Sequence, residues 1–180
     1  MDIMVDLETF DTRPTAVILS IGACRINWAE DTVDRPFHQI IDRQSCVDAG
    51  LSISEDTVNW WNKQSYEAKA VFRDPSVPLL DALAQFSAYM KEFDPKTVRV
   101  WGNGSDFDNT ILANAYAAMG FELPWRFYNN RCFRTAKDLY SDHMTALPRQ
   151  GTHHNALDDA MHQARGLLQL RNTLGMRKIR

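Results

Sequence analysis

Asp6 and Glu8 stand two positions apart near the start of the chain, where Ile3, Val5 and Leu7 alternate with Met4, Asp6 and Glu8. Successive side chains of a strand face opposite ways, so this pair puts both carboxylates on one face, about 6–7 Å apart. Two acids on a half-buried strand repel each other, and a divalent cation is the usual compensation; a wet edge strand is the plainer alternative. A second acidic segment, Trp101-Gly-Asn-Gly-Ser-Asp-Phe-Asp-Asn-Thr-Ile-Leu112, runs from strand through a glycine-rich bend into a helix. Loops after strand C-termini are favoured places for sites in open α/β sheets. Asp106 fits an N-cap there, while Asp108 in the first helical turn either serves the helix dipole or projects back toward the sheet. Asn103 suits a turn-stabilising amide. The third segment, Thr152-His-His-Asn-Ala-Leu-Asp-Asp-Ala160, sets a histidine of near-neutral pKa just before a helix and an acid five residues later inside it. His153 with Asp158 and His154 with Asp159 share that spacing, so spacing alone leaves both pairs open.

These residues need elements to hold them. Val- and Ile-rich residues 16–28 read as a second strand, a polar turn at 30–34 follows, and residues 37–41 read as a third, which makes a three-strand meander. Ser52 with Glu55 has the form of a capping box before a helix over 56–62, with Ser54 as the alternative cap. Pro78 opens a helix in which Leu79, Leu83, Phe86, Met90 and Phe93 recur at helical spacing. Residues 98–101 read as a strand, 107–119 as a helix closed by Gly120, 130–133 as a short strand, 135–140 as a brief helix and 155–174 as a long helix stopped by Gly175. Strands first and then alternating helices and strands imply an α/β domain with a mixed sheet flanked by helices.

The 180 residues carry no repeat, linker or like-charge block, so one domain over 1–180 is expected. A hydrophobic fraction of 44% excludes a disordered tail or fibre. No apolar run approaches the roughly 18 residues of a membrane-spanning helix, and an acidic start is unlike a signal peptide, which places the chain in the cytoplasm with no membrane partner. Cys24, Cys46 and Cys132 are odd in number and widely spaced, and read as reduced packing residues. The net charge of −3 argues against coating nucleic acid through bulk charge. Residues 160–180 nevertheless lack acids and carry Arg165, Arg171, Arg177, Lys178 and Arg180, which suits either a phosphate-binding border or a solvated helix end.

Val5-Asp-Leu-Glu-Thr9, Phe107-Asp-Asn-Thr-Ile-Leu112 and His154-Asn-Ala-Leu-Asp-Asp-Ala160 together resemble the three motifs of the DEDDh 3′–5′ exonucleases in the DnaQ-like superfamily. They come in the family's order and span nearly the whole chain. Length and arrangement resemble the small stand-alone members such as RNase T and oligoribonuclease, and the segment Ser54-Glu-Asp-Thr-Val-Asn-Trp-Trp61 resembles mycobacterial and phage-type exonucleases. The resemblance implies an RNase H-like mixed five-stranded sheet and a metal-dependent exonuclease releasing nucleoside 5′-monophosphates from single-stranded RNA or DNA 3′ ends. It implies two Mg²⁺ or Mn²⁺ ions held by Asp6, Glu8, Asp108 and Asp159, with His154 as general base. It favours Asp108 over Asp106 and, through the following Ala160, Asp159 over Asp158. Thr9, Phe10, Trp61, Asn103 and Phe107 become candidates for the terminal nucleotide; Trp60 and Trp61 cannot both face inward, and Trp61 is placed at the site. Related exonucleases also form homodimers. Two rival readings are a haloacid-dehalogenase-like phosphatase, for which Glu8 stands where a second aspartate belongs, and a nucleic-acid-binding module without turnover.

Overall fold

In a computed structural model, residues 1–175 are described. Strands β1 (Asp2–Thr9), β2 (Ile18–Asn27) and β3 (Thr32–Ile40) form the expected antiparallel meander. Strands β4 (Arg99–Gly102) and β5 (Asn130–Cys132) then add in parallel beyond β1, so the sheet order is β3-β2-β1-β4-β5. The mixed sheet is covered on both faces. Alternation along β1 sends Ile3, Val5 and Leu7 into a core shared with α3 (Leu79–Met90) and α4 (Asp108–Ala118). Met4 joins Cys24 and Ile26 on the other face, under Ala160, Ala164, Leu167 and Leu168 of α6 (Ala156–Thr173). Each fully buried aliphatic side chain adds about 1.5–3 kcal/mol, and both cores are built largely of such residues.

Several expectations change in the structure. The hairpin turn is tighter than the polar run at 30–34 suggests, because β3 begins at Thr32 and the bend is taken at Asp31, with φ +59. Helix α1 (Arg43–Asp48) was not expected: it is short and polar, and Asp42 caps it by accepting from the backbone of Gln44 and Ser45. The capping box at Ser52 does not form, because its hydroxyl donates to Asp11 Oδ2 at 2.7 Å, and Ser54 takes the N-cap position of α2 (Glu55–Asn62) without a side-chain bond. Asp106 does not cap α4, whose N-cap position is Phe107. Helix α5 (Phe133–Leu139) starts two residues early, with Cys132 Sγ accepting from the backbone N–H of Thr135. Arg171 is tied to the β2–β3 hairpin through the Trp28 carbonyl and Asp31 rather than facing a phosphate surface; Arg177, Lys178 and Arg180 lie outside the described residues.

Two glycines set where the helices meet the sheet. Gly22 pairs with Asp6 across β1 and β2, and a Cβ there would run into the backbone of Ala156 and Leu157. The first turn of α6 therefore rests directly on β2. At the end of β4, a Cβ on Gly102 would stand 2.6 Å from Asn109 Oδ1 and 2.9 Å from Asp108 Cβ, so glycine lets α4 begin tightly over the strand.

Candidate active site

The carboxyl end of β1 and the starts of α4 and α6 meet at one place. Asp6 and Glu8 point to the face covered by α6, and Gln163 of that helix donates from Nε2 to Asp6 Oδ1 at 2.7 Å. Asp108 is buried and accepts from the backbone N–H of Leu7 (3.2 Å) and of Asn103 (2.9 Å), which ties β1, the bend after β4 and α4 together. Glu8, His154 and Asp159 each offer a ligand atom, all within 4.8 Å of one another.

The third segment separates its two registers through backbone geometry. His154 adopts φ +61, a left-handed conformation that histidine enters more readily than most side chains, and its N–H donates to Asp159 Oδ2 at 2.9 Å. Asp159 is thereby held beside the imidazole, and Arg149 donates to its other oxygen. Asp158 turns instead to the backbone N–H of Thr152, at 2.7 Å. Asp159 rather than Asp158 therefore joins the cluster, and Asp108 rather than Asp106 reaches β1.

Burial first, and then crowding by other acids, shifts the protonation of these carboxylates. Burial raises the Asp6 pKa well above the ordinary carboxylate range, and the charges of Asp108, Glu8 and Asp159 push it further. Asp6 is not fully shielded from solvent, yet the surrounding protein and three neighbouring carboxylates prevail over the Gln163 N–H. Glu8 is pushed up to about 8 by burial and then by Asp159 and Asp108, with Arg149 pulling it back. Asp108 rises to about 7 through burial, against the N–H groups it accepts and the charge of Arg134. Burial lowers the His154 pKa, opposed by Asp159, so its imidazole is neutral at neutral pH and can accept a proton.

A cleft of about 450 Å³ adjoins these groups, lined by Glu8, Thr9, Asp56, Trp60, Trp61 and Phe107 among others. Thr9 borders it while donating its hydroxyl to the Asp11 carbonyl at 2.7 Å. Phe107 also borders it, packed against the core. One placement is corrected. Phe10 is not at the cleft: the register shift between Glu8 and Thr9 breaks the alternation, and Phe10 enters the core stacked on Phe72 at 5.3 Å. Trp61 is only 2% exposed and donates from Nε1 to the Thr9 carbonyl at 2.8 Å, so it reaches the cleft as a buried wall. The solvent-facing tryptophan is Trp60, 41% exposed, whose ring meets His154 edge-on at 4.7 Å. Asn103 contributes its backbone N–H to Asp108 and is not among the cleft-lining residues.

Sequence reasoning missed Gln163, Arg149 and Gly22. Gln163 had a usable signal, since it lies four residues after Asp159 and so on the same helical face. Arg149 lies in a segment without regular structure, and Gly22 acts through a contact that only the assembled fold creates.

The sequence profile of the Rv2179c-like 3′–5′ exoribonuclease domain matches residues 1–170. The chain belongs to this family. It is accordingly a 3′–5′ exonuclease, and neither a phosphatase nor an inert binding module fits it. Among solved structures, it is similar to exonuclease X in complex with 5′ overhanging duplex DNA (17% identity, 97% of this chain and 93% of that one, TM-score 0.60). It is also similar to the nuclease domain of 3′hExo, a DEDDh family member bound to rAMP (14%, 99% and 94%, TM-score 0.63). A third likeness is to exonuclease I of E. coli with a dA16 oligonucleotide (14%, 96% of this chain but 40% of that one, TM-score 0.62). At these identities the likeness establishes the fold, an RNase H-like mixed sheet. Comparison with curated proteins finds no match. Among the described residues, no helix is long and apolar enough to cross a membrane.

Proposed function

We propose that the chain hydrolyses single-stranded RNA from its 3′ end, releasing nucleoside 5′-monophosphates one at a time, with two Mg²⁺ or Mn²⁺ ions held by Asp6, Glu8, Asp108 and Asp159. The observation that carries this is the meeting of four carboxylates and one neutral imidazole, drawn from three distant segments, beside a nucleoside-sized cleft. The donor set fits such ions. Oxygen ligands suit hard divalent cations; burial raises the pKa values of Asp6, Glu8 and Asp108, and neighbouring carboxylates raise those of Asp6 and Glu8 further, so a bound cation would offset both costs. When bound, the ions would neutralise phosphate charge and make water more acidic.

The side chains do the rest. An imidazole nitrogen of His154 takes a proton from the water that attacks phosphorus, and the P–O3′ bond breaks as the leaving oxygen gains a proton from solvent. Asp159, bonded to the His154 backbone, keeps that residue at the reacting bond. Glu8 reaches the terminal ribose, while Thr9, Trp60 and Phe107 enclose its nucleoside in the cleft. The family's exoribonuclease description supports RNA over DNA.

The test is gel analysis of 5′-labelled RNA and DNA of identical sequence with Mn²⁺, and with chelator as control. A chelator-sensitive ladder shortening from the RNA 3′ end is expected. A DNA-only ladder would overturn the substrate assignment, and intact strands in active metal would overturn the hydrolysis itself.

A further inference from the structure

Residues 126–137 read Arg-Phe-Tyr-Asn-Asn-Arg-Cys-Phe-Arg-Thr-Ala-Lys, four cations without an acid in a chain whose net charge is −3. They form a 3₁₀ turn (Phe127–Asn129), the edge strand β5 and most of α5. Among the described ion pairs, none involves Arg126, Arg131, Arg134 or Lys137. Beside these charges, Phe127 and Tyr128 are 76% and 60% exposed, with centroids 5.5 Å apart and planes at 73°. Single exposed aromatics are common, but two adjacent ones among unpaired arginines are the components of a single-strand binding surface, stacking faces beside phosphate donors. Arg131 is fixed there, with Nη1 donating to the carbonyls of Tyr128 (3.1 Å) and Asn130 (2.8 Å).

The row leads to the active site. Strands β1, β4 and β5 run parallel, so the end of β5 opens at the same rim as Glu8 and Gly102. Arg134 sits on that rim: its Nη2 lies 3.4 Å from where a Cβ on Gly104 would stand, in the bend that leads to Asp108. Phe127 and Tyr128 lie at the other end of β5, about 10 Å of strand away.

We propose that the β5 edge binds the nucleic-acid strand on the 5′ side of the cleaved bond, with Arg134 and Arg131 holding successive phosphates and Phe127 or Tyr128 stacking on a base. This rests on the exonuclease reading above. Charge complementarity selects the occupant, since a second copy of the chain would bring the same four cations against this row.

The experiment is fluorescence anisotropy in chelator with labelled RNA 3-mers and 12-mers sharing one 3′ sequence. Wild-type protein is expected to bind the 12-mer more tightly than the 3-mer. Phe127→Ala/Tyr128→Ala and Arg131→Gln/Arg134→Gln should each weaken 12-mer binding about tenfold and remove most of the length dependence. The arginine pair should also flatten the log–log salt slope by about 1.4, while Arg131→Lys/Arg134→Lys retains it. Circular dichroism and melting temperature establish that each variant is folded. The proposal is overturned if the folded variants bind the 12-mer as wild type does, or if wild type binds both lengths equally. It is also overturned if sedimentation shows that the variants change self-association while 12-mer affinity stays the same. Failure of the hydrolysis reading would appear separately, as wild-type protein that does not shorten a labelled strand in Mn²⁺.

Discussion

Asp2 and Asp6 occupy the same face of β1, four residues apart, and meet opposite surroundings. Asp2 is fully buried and accepts from Arg99 (2.6 Å), Trp28 Nε1 (2.6 Å) and Trp101 Nε1 (2.8 Å). The protein supplies that carboxylate with a cation and two indole donors. Asp6 receives one amide, from Gln163, and its charged neighbours are Asp108, Glu8 and Asp159. A buried acid that the fold has neutralised holds strands together. One surrounded by other acids is prepared for a cation from outside.

The largest test of this contrast is Asp6→Ala. Hydrolysis of a labelled strand should fall about 10³-fold or more, because phosphate charge would lose its counter-cation. Melting in chelator should not drop, since three crowded carboxylates lose a like charge. A rate within tenfold of wild type would erase the distinction. Asp2→Ala should do the reverse, leaving hydrolysis at 25 °C near wild type while costing about 3 kcal/mol, because Arg99 is left half-buried without its partner. That corresponds to a melting temperature lower by about 6–12 °C, readable by calorimetry. Unchanged melting would mean that Asp2 is as expendable as a surface acid.

The smallest effect is a pH trend. Glu8 and Asp108 reach about 8 and about 7 in the folded chain, from ordinary values of 4.5 and 3.8. Between those limits the unfolded chain binds fewer protons than the folded one, so stability present at low pH is lost as pH rises through 7–8. In chelator, melting temperature should decline from pH 5 to pH 9, and Mn²⁺ should shrink that decline. A flat profile in chelator would show that neither burial nor neighbouring charge raises these two acids.

Much of this was legible before the fold. Alternation fixed β1 and its two faces, and helical spacing gave the buried row of α3 from Leu79 to Met90. The five residues of the proposed catalytic set came from motif resemblance, and the structure brings them together. What was hidden depends on contacts between distant segments. Helical spacing says that one of Trp60 and Trp61 faces inward, but which one does so is decided by the Thr9 carbonyl and the His154 ring. Phe10 left the cleft because of a one-residue register shift that no local pattern announces. Ser52 has the right chemistry for a cap, yet Asp11, 41 positions away in sequence, takes its hydroxyl.

The bond between Asp6 and Gln163 joins residues 157 positions apart. β1 is synthesised before α6, so a partial chain that stops between them carries Asp6 and Glu8 without the rest of the cluster. Such long-range closure comes late in folding, because loop entropy must be overcome before the contact forms. A growing chain thus carries its acids as an incomplete cluster, which is assembled only once α6 has docked on the sheet.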